Sequence, residues 1–234
     1  MRTITPPHDQ RSEVPRLVRE LLTRVTGDEK HSPAAHSTLD VLWVLYDRVL
    51  RVDPARPDDP DRDRFLLSKG HGPAAFYAVL AAKGFFDPAW LDTFAAFDSP
   101  LGHHPDRLLI PGVEISSGSL GHGLPMAVGV ALALRARRSE ARVHVLIGDG
   151  ELDEGSNHEA IVAAGRWGID NLTVTIIDNQ SSSLGWAGGI GARFEVEGWD
   201  AASVDGGDHE AIARALTDRM PGLPRAVVME VEPR

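Results

Sequence analysis

The sequence predicts an α/β domain with a mostly parallel central sheet covered by helices on both faces. Three observations carry that expectation. The second half of the chain alternates apolar runs with helical patterning, a βαβαβ rhythm that favours parallel strands under helices. The apolar runs at 143–147 and 172–177 end in Gly148-Asp149-Gly150 and Asp178-Asn179-Gln180-Ser181, the punctuation of strands that stop at a rim. A chain of 234 residues is also long enough for one large domain with a sizeable core.

Taken in order, residues 1–12 read as a flexible tail, with Pro6 and Pro7 and no periodicity, and 13–234 as the folded domain. Pro15 opens a short helix to Val25, with Leu17, Val18, Leu21 and Leu22 on one face. A loop over 27–36 precedes a helix over 39–50, capped by Ser37 or Thr38 and apolar enough to be deeply buried. The Pro- and Asp-rich stretch 52–63 is an exposed connection. Phe65-Leu66-Leu67 is a short strand or turn that delivers Ser68-Lys69-Gly70-His71-Gly72-Pro73. Helices are expected over 74–83 and 88–97, then a long loop over 98–119 carrying His103 and His104. Loops of that length in a compact domain are usually functional or mobile. A helix over 120–138 has a glycine-dense start, and Met126 is assigned to the core. Beyond the 172–177 run come a glycine-rich loop over 185–198, a strand over 201–204, a helix capped by Asp208, and a last strand over 226–231.

Composition narrows the function. Hydrophobic residues are 42% and charged residues 25%, ordinary for a globular protein. The formal net charge of −10 argues against non-specific nucleic-acid binding. The absence of cysteine excludes disulfides, thiolate metal sites and thiol nucleophiles. The amino-terminal segment has no apolar signal-like core and no run approaches the length of a membrane span, so a cytoplasmic protein is expected.

In a parallel sheet the ends of both apolar runs reach the same rim, where open α/β sheets bind ligands. Asp149 offers a carboxylate oxygen and Asn179 an amide oxygen, and the Ser181 carbonyl offers a third; oxygen donors of this kind suit Mg²⁺. Gly150 allows the main chain to approach a diphosphate closely, and a helix starting near Gly155 presents its amide dipoles. Read alone, Gly-Asp-Gly is a tight turn, and Ser181, Ser182 and Ser183 a polar loop.

Gly-Asp-Gly followed about thirty residues later by Asn resembles the signature of thiamine diphosphate enzymes, and further blocks resemble transketolase. These are Phe65-Leu66-Leu67-Ser68-Lys69-Gly70-His71-Gly72, Gly102-His103-His104-Pro105-Asp106, the segment Pro111-Gly112-Val113-Glu114-Ile115-Ser116-Ser117-Gly118-Ser119-Leu120-Gly121-His122-Gly123, and residues 148–160. The resemblance spans roughly 13–231 and implies a three-layer thiamine diphosphate-binding fold. It implies thiamine diphosphate and Mg²⁺ as cofactors, with Asp149, Asn179 and the Ser181 carbonyl as cation ligands. Gly150, His71 and Asn179 would lie at the diphosphate, and Gly118 and Leu120 beside the cofactor rings. Glu154 would link two cofactor sites across a dimer interface. His31, His71 and His104 would face the substrate as proton-handling imidazoles. The implied reaction moves a two-carbon ketol unit from a ketose to an aldehyde, with sugars or sugar phosphates as substrates.

The resemblance also implies a divided enzyme. The chain is much shorter than a whole transketolase and has no counterpart of the pyrimidine-binding and carboxy-terminal domains. It is therefore expected to be the amino-terminal subunit of a split transketolase, inactive alone, with a separate partner subunit in an α2β2 assembly. Three departures stand out: Glu29-Lys30-His31-Ser32-Pro33 replaces a glycine-flanked Gly-His-Pro-Gly turn, His122 replaces a glutamine, and the segment that brings a further diphosphate-binding histidine in full-length relatives is expected to be missing here. They suggest a specialised pathway. Two other readings stay open: the cofactor-binding subunit of a 2-oxoacid dehydrogenase or carrier-dependent two-carbon transferase, and a non-catalytic partner that keeps the fold.

Overall fold

The computed structural model of the protein describes residues 13–26, 32–70 and 73–232. Among these residues, five strands form one fully parallel sheet: β1 (Arg64–Leu67), β2 (Val143–Gly148), β3 (Leu172–Asp178), β4 (Asp200–Asp205) and β5 (Arg225–Glu230), in the order β1-β2-β3-β5-β4. The register runs β1 Phe65 against His144, β2 Gly148 against Ile177, and β3 Asp178 against Glu230.

Among the described residues, seven α-helices cover the sheet: α1 (Arg16–Arg24), α2 (Ser32–Val44), α3 (Ala74–Lys83), α4 (Gly123–Ala136), α5 (Gly155–Arg166), α6 (Ile190–Glu195) and α7 (His209–Thr217). The period-2 geometry of strands divides the apolar side chains between two cores. Phe65, Leu67, Leu146, Ile177, Val227 and Met229 pack with α1, α2, α3 and α7. Leu66, Val145, Ile147, Val174, Ile176 and Val228 pack with α4, α5 and α6. A strand that is buried on both faces is apolar at most positions, which is why β2 reads as an apolar run interrupted only by the buried His144. The result is three layers: helices, sheet, helices.

Some expectations are corrected. The second helix begins at Ser32, inside the stretch read as loop, with Pro33 in its first turn, where a missing N–H does no harm. It ends in a π-helical segment, Leu45–Val49. Residues Pro88–Thr93 form a 3-10 helix, shorter than expected, started by the Asp87 side chain accepting from the Ala89 N–H at 2.8 Å. The glycine-rich loop contains α6, held by the buried Phe194 against Trp199. Met126 is 45% exposed and Leu17 56%, because the buried faces of α4 and α1 run through Leu124, Ala127, Val128 and Ala131, and through Val18 and Leu21. Among the described residues, no helix is long and apolar enough to cross a membrane.

Three adjacent strands deliver the site. Ser68-Lys69-Gly70 follows β1, Asp149 follows β2, and Asn179-Gln180-Ser181 follows β3, all at the carboxyl rim.

Candidate functional site

Asp149 is 1% exposed. Its Oδ1 accepts from the Gly150 N–H at 2.8 Å and the Ser181 hydroxyl at 2.6 Å. Its Oδ2 accepts from the N–H groups of Ser181 at 2.6 Å and Ser182 at 3.1 Å. The loop after β3 therefore folds back onto the loop after β2. Gln180 makes that reversal at φ 59°, a left-handed conformation that costs an L-residue about 1 kcal/mol or more. Asp153 fastens the next residues: its carboxylate accepts from the Ser182 hydroxyl at 3.1 Å, and from the Ser183 hydroxyl and N–H at 3.0 and 3.2 Å. Burial opposes the Asp153 charge, but the hydrogen bonds from Ser183 and Ser182 outweigh it and hold the carboxyl below its ordinary value.

Asn179, 7% exposed, holds its Oδ1 buried and without a hydrogen-bond partner. An orphaned buried acceptor costs about 1–3 kcal/mol, and a cation removes that cost. A Cβ built on Gly150 would enter the gap between the two loops, in ordinary contact at 3.5 Å with the Ser181 carbonyl and hydroxyl oxygens. A carboxylate, an amide oxygen and a main-chain carbonyl are the donor set of a hard cation. Among the described residues, no group of three or more His, Cys, Asp or Glu side chains is placed to hold a metal. An ion on Asp149 and Asn179 would thus complete its shell with oxygens from outside the chain, as Mg²⁺ does with phosphates. The residues present fit Mg²⁺ with a diphosphate.

A second buried carboxylate, missed in the sequence, ties the rim together. Glu151 lies in the 3-10 turn Gly150–Asp153. Its Oε1 accepts from the Ser68 hydroxyl and from the Gly121 N–H at 2.9 Å, and its Oε2 from the Gly148 N–H at 3.3 Å. Burial raises its pKa, against the pull of those donors and of Lys69. Ser68 in turn accepts from the Gly123 N–H at 3.0 Å, which seats the first turn of α4. Only glycine fits there, since a Cβ at Gly123 would fall 2.2 Å from the Ser68 Cβ.

The glycine loop before α4 meets the histidine loop. Gly118 holds φ 124°, and a Cβ there would lie 2.8 Å from the His104 ring; a Cβ on Gly70 would lie 2.6 Å from the Gly118 Cα. The His104 Nδ1 hydrogen-bonds the Gly70 carbonyl at 2.9 Å. Of the two adjacent histidines, His104 thus stacks on the glycine layer, whereas the His103 ring packs edge-on against Phe94 at 5.4 Å. Leu120 is half-buried two residues beyond Gly118, and Glu154 is exposed next to Gly121. His122, also exposed, has its Nδ1 3.0 Å from the Ser119 hydroxyl. His31 and His71 lie outside the described residues.

An open parallel sheet whose carboxyl rim carries an oxygen-donor set and close glycine approaches belongs to the class of folds that bind diphosphate cofactors. Residues 22–230 match the family described as "Transketolase, thiamine diphosphate binding domain", and the chain belongs to that family of transferases. It is 60% identical over 212 residues to "Ferredoxin fas2" of Rhodococcoides fascians, a match covering 90% of this chain and 70% of the relative. With no cysteine, this chain has no thiolate with which to hold an iron–sulfur cluster. It is 38% identical over 208 residues to an apulose-4-phosphate transketolase subunit from Actinobacillus succinogenes, covering 85% of this chain and 74% of the relative. The transketolase structure from Leishmania mexicana superposes with a TM-score of 0.80 at 30% identity, covering 92% of this chain and 35% of that one. The chain therefore spans about a third of the length of that solved transketolase.

Proposed function

We propose that this chain is the amino-terminal subunit of a two-component transketolase that binds Mg²⁺ and thiamine diphosphate and moves a two-carbon ketol unit from a ketose to an aldehyde. The observation that carries this reading is the buried, unpartnered Asn179 Oδ1 beside the fixed Asp149 carboxylate. Asp149, Asn179 and the Ser181 carbonyl hold the cation, and the main chain at Gly150 lets a diphosphate approach. Thiamine diphosphate, when bound, supplies the carbanion chemistry. Leu120 and the main chain at Gly118 form the apolar bed on which the cofactor rings rest. The His104 imidazole, held through Nδ1, turns its other ring nitrogen to the substrate side, where it takes or returns a hydroxyl proton. We give the same task to His31 and His71, and a diphosphate contact to His71, as the family resemblance implies. The exposed Glu154 reaches toward a second copy of the assembly, an α2β2 complex with a separate pyrimidine-domain subunit. Sugar phosphates are the substrate class, in line with the name of the Actinobacillus relative.

The test is co-expression with the protein encoded beside this chain, followed by titration of thiamine diphosphate with and without Mg²⁺. Mg²⁺-dependent binding is expected, lost in Asp149→Ala, together with ketol transfer between sugar phosphates. Binding of the cofactor by the wild-type pair without any dependence on Mg²⁺ or Asp149 would overturn the assignment of the site.

A further inference from the structure

The opposite rim of the sheet carries a cavity of about 310 Å³ that the proposed reaction does not use. It is built by the residues that enter the strands: Arg142 before β2, Asp170 and Asn171 before β3, Arg219 between α7 and β5, Arg135 in the last turn of α4 and Glu140 in the segment after it. At about 3.3 Å per residue, β2 separates Arg142 from Asp149 by roughly 20 Å.

Its charges are unevenly matched. The Arg135 guanidinium donates to the carbonyls of Trp167 at 3.3 Å and Gly168 at 2.9 Å, which adds no negative charge. Among the described residues, neither Arg142 nor Arg219 has a carboxylate within ion-pair distance or a side-chain hydrogen bond. Asp63, the nearby buried acid, is already paired with Arg51 at 2.8 Å and accepts from the Arg142 main chain. Asp170 accepts from the Gly222 N–H at 3.1 Å, and Glu140 lies toward Arg51. Burial, with Arg142 adding to it, pushes Arg219 down to about 10, against the pull of Asp63 and Asp170. A protein of net charge −10 thus keeps two mutually repelling guanidiniums, the half-buried Arg142 and the exposed Arg219, in one concave place.

We propose that this cavity is a binding site for a phosphorylated small molecule, with Arg142 and Arg219 as its anion-recognising pair. Guanidinium forks match phosphate oxygens in pairs, and two of them that lack carboxylate partners gain most from a shared oxyanion. The cavity volume leaves room for an organic portion beside the phosphate, toward Met220 and Pro221. The site lies at the far end of β2 and is independent of the thiamine reading.

The test is calorimetric titration of the full chain at low salt with inorganic phosphate and with glycerol 3-phosphate. Saturable binding of both is expected, weakened about tenfold in Arg219→Gln and in Arg142→Gln and unchanged in Asp149→Ala. Arg219→Lys, which keeps the charge and loses the fork, should fall between. His144 feels both guanidiniums, so its imidazole NMR signals should move on binding in wild type and stay still in Arg219→Gln. No saturable binding would overturn the proposal. So would binding abolished by Asp149→Ala and kept by Arg219→Gln, or binding confined to acidic peptides, which would make the cavity a protein-docking site instead.

Discussion

Replacing Glu151 by glutamine tests whether one carboxylate holds three segments of the rim. Oε1 serves the Ser68 hydroxyl and Gly121 N–H, and Oε2 serves the Gly148 N–H. Glutamine has one oxygen. If that oxygen keeps Ser68 and Gly121, its NH₂ group faces the Gly148 N–H, donor against donor. A buried donor left without an acceptor costs about 1–3 kcal/mol, and the two bonds that remain lose their charge assistance. The amide recovers part of this by escaping the burial penalty that raises the Glu151 pKa. The balance is a destabilisation of about 2 kcal/mol. In urea unfolding of the full chain this is a midpoint lowered by about 1 M at unchanged slope. The Glu151→Gln protein should also bind thiamine diphosphate more weakly, because the tied residues Gly148 and Gly121 directly adjoin Asp149 and Leu120 in the chain. A variant within about 0.5 kcal/mol of wild type, with cofactor affinity intact, refutes the role of Glu151 as a tie.

Asn179→Ala should leave the cofactor-free protein as stable as wild type or about 1 kcal/mol more stable, since an orphaned acceptor is removed, while Mg²⁺-dependent cofactor binding is lost; paired melting and binding curves check both. Gly123→Ala should cost about 1–3 kcal/mol by overpacking Ser68, read from chemical denaturation, with Ser68→Gly as the rescuing second change. Acid stability should depend on His144, which burial pushes down to about 4 from an ordinary value of 6.5. The unfolded chain takes up that proton first, so the contribution is complete above 6.5 and is lost as the pH falls toward 4. Wild type should lose about 2 kcal/mol from this group between pH 7 and pH 5, and His144→Leu should show a flatter acid limb in denaturation series at the two pH values.

The strands at the centre of the sheet were the most legible part of the sequence. β2 and β3 lie between two helical layers, so their residues are buried on both faces and mostly apolar, and each ends at a polar rim. The glycine loops and Asp149 were legible for a related reason: close approach and a buried acid leave few alternatives in residue type. The helix α6 was hidden because Gly188, Gly189 and Gly191 dominate its surroundings, and its stability comes from burying Phe194, a tertiary contact. Met126 was legible but misread: the positions three and four apart from Leu124 mark the buried face, and 126 is off it. Glu151 could not be found by pattern. A glutamate beside an aspartate in a turn looks solvent-facing, and its burial depends on Ser68, which lies 83 residues earlier in the chain.

The four donors on Asp149 are not equivalent in what they allow. Three are main-chain N–H groups, fixed by the loops that carry them; the fourth is the Ser181 hydroxyl, which turns about a single bond. When something positively charged comes to this carboxylate, only that hydroxyl has to yield, at the expense of one hydrogen bond of about 1 kcal/mol. The carboxylate itself stays where the main chain pins it. With the carboxylate pinned by main-chain donors, loading is a matter of rotating one side chain rather than refolding the rim.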